Sequence, residues 1–173
     1  MDKIEKATIY AGAAHAAVGQ FRKYTGEPYI THPLAVSRLV QAYGGCDDMI
    51  AAAILHDVVE DTAITIDDIR REFQLPIANM VDSLTDVSKK EDGSRAVRKG
   101  KDRDHTSAGS YGAQFIKCAD MMHNAHSIIE FDKKFAKVFM SEKKQLLDVM
   151  YKVKDTDIWR DAQTYVDDYF NGV

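Results

Sequence analysis

The sequence predicts an all-α protein, and three observations support this fold class. Apolar residues recur at spacings of three and four along almost the whole chain, which is the periodicity of helices that bury one face. Proline and glycine, which interrupt helices, are sparse, with 3 and 10 residues among 173. No segment alternates apolar and polar residues between turn signals as a strand would. We therefore expect one helical bundle of about eight helices, in a single domain over 1–173.

Cap and turn residues place these helices along the chain. Gly19 ends the first helix, and His32-Pro33 opens the second, because proline suits the first helical position. Thr65 and Asp68 have the spacing of a capping box, which predicts the start of the fourth. The eight predicted helices lie at about 2–18, 33–43, 47–60, 65–73, 76–87, 110–129, 132–152 and 157–170.

The segment 89–105 differs from the rest of the chain. It carries a formal charge of +3, whereas the remaining residues carry −7, and Val97 is its one large apolar residue. Two interpretations stay open at this point. Charge runs are usually solvated, which predicts a surface loop. A mobile cationic lid that meets a phosphate-rich ligand is the alternative.

Composition limits the classes of partner. The net charge of −4 argues against a protein that binds nucleic acid through its backbone phosphates. Cys46 and Cys118 form neither a CxxC pair nor a disulfide framework, which favours a reducing compartment. The longest apolar run, 49–55, is far short of the ~20 residues of a membrane helix. We expect a cytoplasmic protein with no nucleic-acid or membrane partner, and the sequence leaves a homo-oligomer open.

Acidic and histidine side chains that follow apolar runs mark the candidate chemistry. His56-Asp57 comes directly after the apolar run that begins at Ile50, and a carboxylate there is costly unless something pairs with it. His32 stands at a predicted helix start, and Asp120 follows another apolar stretch. Two histidines and two carboxylates form a nitrogen and oxygen set suited to a divalent first-row metal. An isolated His-Asp pair is more often a core histidine beside a capping aspartate, so the wider context matters.

Longer motifs give that context. The segments GQFRK at 19–23, GEPYITHPLAV at 26–36, AAILHDVVEDT at 52–62 and IKCADMMHN at 116–124 stand in this order. Together they resemble the hydrolase region of RelA/SpoT proteins, which belongs to the HD phosphohydrolases. The resemblance covers about 4–129, and we expect the helices within 132–171 to pack on that region. The chain is too short to add the synthetase and regulatory domains of the long family members, so it resembles the stand-alone small alarmone hydrolases, including those of metazoans.

The resemblance implies an activity and a set of site residues. The family hydrolyses the 3′-pyrophosphate of guanosine tetra- and pentaphosphate, (p)ppGpp, giving GDP or GTP and pyrophosphate, typically with Mn²⁺; Mg²⁺, Fe²⁺ and Zn²⁺ are alternatives. It implies four metal ligands: His32, His56, Asp57 and Asp120. Glu60 and Asp61 match the family's catalytic acidic pair, and Asn124 matches an asparagine near the water and the ribose. Basic residues implied to meet the substrate are Arg22, Lys23, Arg98 and Lys99.

Three other functions are compatible with the same residues. An HD-type deoxynucleotide triphosphohydrolase or nucleotide phosphatase would share the ligands. An antitoxin-like hydrolase of (p)ppApp would share the reaction and change the base. A degenerate HD domain that only binds nucleotide is the non-enzymatic alternative, which the presence of Glu60, Asp61 and Asn124 disfavours. The YITHP and HDVVEDT contexts favour the alarmone hydrolase.

Overall fold

The computed structural model describes residues 1–172 and confirms the all-α prediction. Within that range there is no β-strand, and Phe21 and Pro28 form an isolated antiparallel bridge. The α-helices are α1 (Lys3–Ala17), α2 (Thr31–Ala42), α3 (Asp47–Leu55), α4 (Val58–Asp61), α5 (Ile66–Glu72), α6 (Leu75–Leu84), α7 (Arg95–Ala108), α8 (Tyr111–Phe131), α9 (Lys133–Val149) and α10 (Asp157–Asn171). A short 3₁₀ helix, Lys90–Asp92, precedes α7.

Polar side chains fix where several helices begin. Asp2 accepts hydrogen bonds from the backbone N–H groups of Ile4 and Glu5 at the start of α1. The predicted capping box at α5 is present, because Thr65 accepts from the Asp68 N–H and Asp68 Oδ2 accepts from the Thr65 N–H. These bonds satisfy N–H groups that have no partner within the helix.

The chain divides into two compact units, and the first, Met1–Thr85, contains α1 to α6. Its centre is α3, which is buried from Met49 through Leu55 and packs against α1, α2 and α6. Val36 and Val40 bury the predicted inner face of α2. A helix surrounded by others can hold apolar residues on every face, which explains the continuous apolar run before His56.

The predicted third helix, 47–60, is interrupted. Helix α3 ends at Leu55, and α4 begins at Val58, so His56 and Asp57 form the junction. Asp57 has φ −98° and ψ −5°, in the right-handed region but well away from the ideal helical values. The His56 ring bonds the Ala53 carbonyl at 2.8 Å, the oxygen that an unbroken helix would pair with the Asp57 N–H. The side chains of His56 and Asp57 therefore project from a break between two helices and not from one continuous helix.

The second unit, from Asp86 onward, is built around α8. Both α9 and α10 pack on α8 and on each other, and α7 contacts α8 and α9. Trp159, the single tryptophan of the sequence, links α10 to α9 because its Nε1 donates to the Leu147 carbonyl at 3.3 Å. The C-terminal helices predicted within 132–171 are thus present, as α9 and α10.

Of the two interpretations of 89–105, the surface loop is wrong, because most of this segment forms α7. Its inner face is polar: Asp102 and Thr106 are its buried residues. Asp102 accepts hydrogen bonds from the backbone N–H groups of Val87 and Ser88 at 3.1 and 2.9 Å. Charged residues of α7 also form ion pairs, such as Arg95–Glu142 at 2.7 Å. A helix anchored by polar contacts leaves no apolar periodicity, so the pattern that revealed the other helices missed it.

Candidate metal centre and its surroundings

The first unit brings His32, His56 and Asp57 together. One ligand atom from each residue lies within 4.8 Å of the other two. Asp57 Oδ2 lies 3.4 Å from His32 Nε2 and 3.0 Å from His56 Nε2. Both imidazoles are buried, with 0% and 1% of their surface exposed, and their ring centroids are 5.1 Å apart.

Local structure aims these side chains at one point. His32 lies in the first turn of α2, whereas His56 and Asp57 occupy the junction between α3 and α4. The His56 Nδ1 is 2.8 Å from the Ala53 carbonyl and donates to it, which leaves Nε2 with the lone pair. The Tyr29 hydroxyl donates to Asp57 Oδ2 at 2.7 Å. Such outer hydrogen bonds orient metal ligands and fix their tautomers.

This donor set fits a divalent metal. Two Nε2 atoms and one carboxylate oxygen converge, and imidazole and carboxylate are the usual ligands of first-row divalent ions. A half-buried carboxylate beside two imidazole rings also gains from a cation that balances its charge. The cluster is therefore a candidate site for a divalent metal.

The predicted acidic pair lies on α4, directly after Asp57. Glu60 and Asp61 are both exposed. Asp61 Oδ2 accepts a hydrogen bond from Gln20 Nε2 at 2.9 Å. One oxygen of Asp61 is thus held by a residue of the loop that follows α1.

Asp120 and Asn124 lie one turn apart on α8 of the second unit. Asp120 is buried, and its Oδ1 accepts from Asn124 Nδ2 at 2.7 Å. Its Oδ2 lies 3.1 Å from Lys117 Nζ. The aspartate and the asparagine are therefore hydrogen-bonded to each other, as their spacing of four residues allows.

The predicted basic residues have different surroundings. The Arg22 guanidinium lies over the Tyr29 ring at 5.7 Å, beside the tyrosine that bonds Asp57. Lys23 lies over the neighbouring Tyr24 ring at 4.7 Å. On α7, Lys99 pairs with Asp86 at 2.5 Å and with Asp102 at 3.3 Å, both within the second unit. Arg98, the adjacent residue on α7, is half-buried.

Sequence reasoning missed three residues around these groups. Tyr29 bonds Asp57, and Gln20 bonds Asp61, but each pair is separated by a long stretch of sequence. The third is Lys143 on α9, whose pKa is lowered to about 8, first by burial and then by the positive charges of Lys117 and Lys99. No sequence pattern identifies Lys143, because the charged residues that shift its pKa lie outside α9. Tyr29 could have been singled out, since it belongs to the YITHP segment.

Comparison with known proteins identifies the family. The family model described as HD domain matches residues 7–145, most of the chain. This protein belongs to the HD-domain family. The match extends beyond the predicted 4–129 into α9, and it includes every residue named above as a candidate site residue.

Proteins with similar sequences include two named as guanosine-3′,5′-bis(diphosphate) 3′-pyrophosphohydrolases, one of them as probable. A mouse protein named guanosine-3′,5′-bis(diphosphate) 3′-pyrophosphohydrolase MESH1 is 34% identical over 119 residues, which are 67% of this chain and 65% of that protein. A Synechocystis protein named probable guanosine-3′,5′-bis(diphosphate) 3′-pyrophosphohydrolase is 36% identical over 126 residues, which are 71% of this chain. The chain spans 16% of the length of that cyanobacterial relative.

A solved structure shares the fold. A metazoan SpoT orthologue, whose structure is described as that of a protein that hydrolyses ppGpp, superposes with a TM-score of 0.81 at 23% identity. The superposition covers 99% of this chain and 96% of that one. Among the helices described for residues 1–172, none combines the length and apolarity of a membrane span.

Proposed function

We propose that this HD-domain protein is a metal-dependent 3′-pyrophosphohydrolase of guanosine-3′,5′-bis(diphosphate) and related alarmones. The observation that carries the proposal is the His32, His56 and Asp57 cluster, in a chain similar to curated enzymes of this activity. In the proposed reaction, water attacks the phosphorus bonded to the ribose 3′-oxygen. The bond from phosphorus to that oxygen breaks, the 3′-oxygen takes up a proton, and pyrophosphate leaves.

The proposal assigns His32, His56, Asp57 and Asp120 as ligands of a divalent cation, with Mn²⁺ as the expected ion. Support comes from the convergence of the first three and from the HD-domain match, whose range includes Asp120. A bound divalent cation supplies Lewis acidity, which neutralises phosphate charge and makes water more nucleophilic at neutral pH. The fixed tautomer of His56 and the Tyr29 bond to Asp57 prepare two of the ligands for this role.

The acidic pair divides two roles in this proposal. Glu60 accepts the proton of the attacking water, because it lies beside the ligand cluster on α4 and belongs to no ligand assignment. Asp61 orients the water, with one carboxylate oxygen fixed by Gln20. Asn124 supplies an amide for the ribose, and its bond to Asp120 fixes its orientation.

The basic residues meet phosphate in the same proposal. Arg22 is the strongest candidate, because its position over Tyr29 places a guanidinium beside the ligand cluster. Lys23, Arg98 and Lys99 contribute positive charge, and Lys99 does so as part of its ion pairs with Asp86 and Asp102. A cytoplasmic location suits a nucleotide substrate and the free thiols of Cys46 and Cys118.

A substrate panel tests this proposal. Purified protein with Mn²⁺, Mg²⁺, Fe²⁺ or Zn²⁺ is incubated with ppGpp, ppApp, dATP or dGTP, and the products are identified by chromatography. We expect Mn²⁺-dependent release of pyrophosphate and GDP from ppGpp, and no turnover by Asp57→Ala. Release of triphosphate from dATP or dGTP would instead identify a deoxynucleotide triphosphohydrolase. Binding of ppGpp without any product would identify a nucleotide-binding domain.

A further inference from the structure

The loop that follows α1 connects a buried histidine to the acidic pair. The His15 Nδ1 lies 2.7 Å from Gln20 Oε1, and Gln20 Nε2 lies 2.9 Å from Asp61 Oδ2. These three side chains form one continuous hydrogen-bonded chain that runs from the inner face of α1 to α4. All three belong to the first unit.

The chemistry of the acceptor fixes every donor in this chain. A carboxylate only accepts hydrogen bonds, so the NH₂ group of Gln20 must face Asp61. The amide oxygen of Gln20 must then face His15, and the His15 Nδ1 must carry a proton and donate it to this hydrogen bond. The opposite amide orientation would place oxygen against oxygen at Asp61. The chain therefore has one direction, from His15 to Gln20 to Asp61.

The backbone holds Gln20 in place independently of its side chain. Gly19, with φ +62°, turns the chain back after α1, a conformation that other residues rarely adopt. The Gln20 N–H then donates to the His15 carbonyl at 3.1 Å, and the Tyr29 N–H donates to the Gln20 carbonyl at 3.1 Å. The Gln20 amide thus reaches Asp61 from a turn that two backbone hydrogen bonds hold in place.

The second nitrogen of His15 argues for a role other than stability. The ring is 1% exposed and packs against the Tyr29 ring at 4.8 Å between centroids. Its Nε2 has no hydrogen-bond partner. A buried polar atom left unpaired costs about 1–3 kcal/mol, and such atoms in native structures call for an explanation. We attribute the unpaired Nε2 to the hydrogen bond from Nδ1 to Gln20, which sets the orientation of the ring.

We propose that Gln20 and His15 are positioning residues for Asp61. Gln20 restrains one carboxylate oxygen of an exposed residue and leaves the other oxygen for the attacking water, and His15 restrains Gln20. This inference rests on the proposed function, which gives Asp61 its role. The two residues touch no ligand, so their effect on turnover passes through Asp61.

A double-mutant cycle on turnover of ppGpp with Mn²⁺ tests this coupling. We expect Gln20→Leu to lower kcat roughly 10-fold, with KM changed less than about twofold, as for loss of an outer hydrogen bond. In an Asp61→Asn background, Gln20→Leu should cause no further loss, because the residue on which it acts has lost its carboxylate. An equal loss in both backgrounds, or no loss in either, would overturn the proposal. Gln41→Leu, on the exposed surface of α2, is the matched control.

A second pair of variants and a spectroscopic measurement separate this inference from the proposed function. His15→Asn keeps an N–H donor near the Nδ1 position and should retain more activity than His15→Leu; equal losses would remove His15 from the chain. Nitrogen-15 NMR of wild-type His15 should show the tautomer with the proton on Nδ1, and Gln20→Leu should lower its population. The tautomer with the proton on Nε2 in the wild type would refute the hydrogen-bonded chain even if ppGpp is hydrolysed. A wild type that leaves ppGpp intact, with His15 protonated on Nδ1, would refute the role of the chain in turnover together with the proposed function.

Discussion

Replacing Lys143 by methionine should stabilise this protein at neutral pH. Lys143 lies on α9 with its Nζ 4.8 Å from the centroid of the Phe139 ring. Lys143 is half-buried, and its pKa is lowered from 10.5 to about 8 by burial first and then by the charges of Lys117 and Lys99, against the opposing effect of Asp120 and Asp86. The folded protein therefore binds the Lys143 proton more weakly than the unfolded chain does.

The pKa values give the size and the pH dependence of this cost. One pKa unit corresponds to about 1.4 kcal/mol, so the lowering of the Lys143 pKa from 10.5 to about 8 corresponds to about 3 kcal/mol at pH 7. The cost is fully present below about pH 8 and is relieved between about pH 8 and 10.5, where the folded protein has released the proton and the unfolded chain has not. Methionine fills a similar volume without charge but loses the contact of the desolvated ammonium with Phe139, worth about 2 kcal/mol. The expected net gain at pH 7 is about 1 kcal/mol.

Urea unfolding followed by circular dichroism measures this gain. The free energy of unfolding of Lys143→Met should exceed that of the wild type at pH 7, and the difference should shrink steadily as the pH rises towards 10. Lys137→Met, at an exposed position of the same helix, is the control and should stay within about 0.5 kcal/mol of the wild type. A variant less stable than the wild type at pH 7, or a gain that does not change with pH, would refute the reasoning.

Four further predictions address the proposed site and the second unit. Asp57→Ala should lose bound metal, measured by elemental analysis, together with turnover, and stoichiometric metal at a normal rate would exclude this ligand. Glu60→Gln should keep its metal but turn over ~10²–10⁴-fold more slowly in single-turnover assays, since it cannot take a proton; loss of metal would make Glu60 a ligand. Joint replacement of Arg22 and Lys23 by Glu should raise KM for ppGpp, and an unchanged KM and salt dependence would remove both from the substrate site. Asp102→Asn should destabilise the protein by about 1–3 kcal/mol at pH 7 in urea unfolding. Burial raises the pKa of Asp102, but the hydrogen bonds from Ser88 and the charge of Lys99 outweigh this effect, so the pKa lies below its usual value. The stability that the Asp102 carboxylate contributes is present above its unfolded pKa and is lost as the pH falls through the lower folded pKa. The free energies of unfolding of the wild type and Asp102→Asn should therefore converge in acid. A difference that does not change with pH would contradict this cause.

The sequence predicts the residues whose signal is local. His56 and Asp57 are adjacent, and their position after an apolar run marks them as costly unless paired. The same holds for the capping box at Thr65 and Asp68, which is complete within four residues. Periodicity was equally effective for α2, where Val36 and Val40 are buried as the spacing requires.

Features that depend on tertiary contacts escape the same reasoning. The helix α7 buries Asp102 and Thr106 and no large apolar side chain, so it has no hydrophobic stripe to detect. The hydrogen bond from Tyr29 to Asp57 spans 28 residues, and its partners are chosen by how α2 packs on α3. The break at His56 depends on whether its ring reaches the Ala53 carbonyl, which is decided by packing and not by helix propensity.

Trp159 is an intrinsic fluorescent reporter of the second unit. It is the single tryptophan of the sequence, and it lies in the second unit, bonded to the Leu147 carbonyl. Its fluorescence therefore follows the unfolding of α9 and α10, whereas circular dichroism adds the signals of helices from both units. Transitions that coincide would show that the chain unfolds as one cooperative domain, and transitions at different urea concentrations would show two. The wild-type protein thus carries its own test of how many domains it contains.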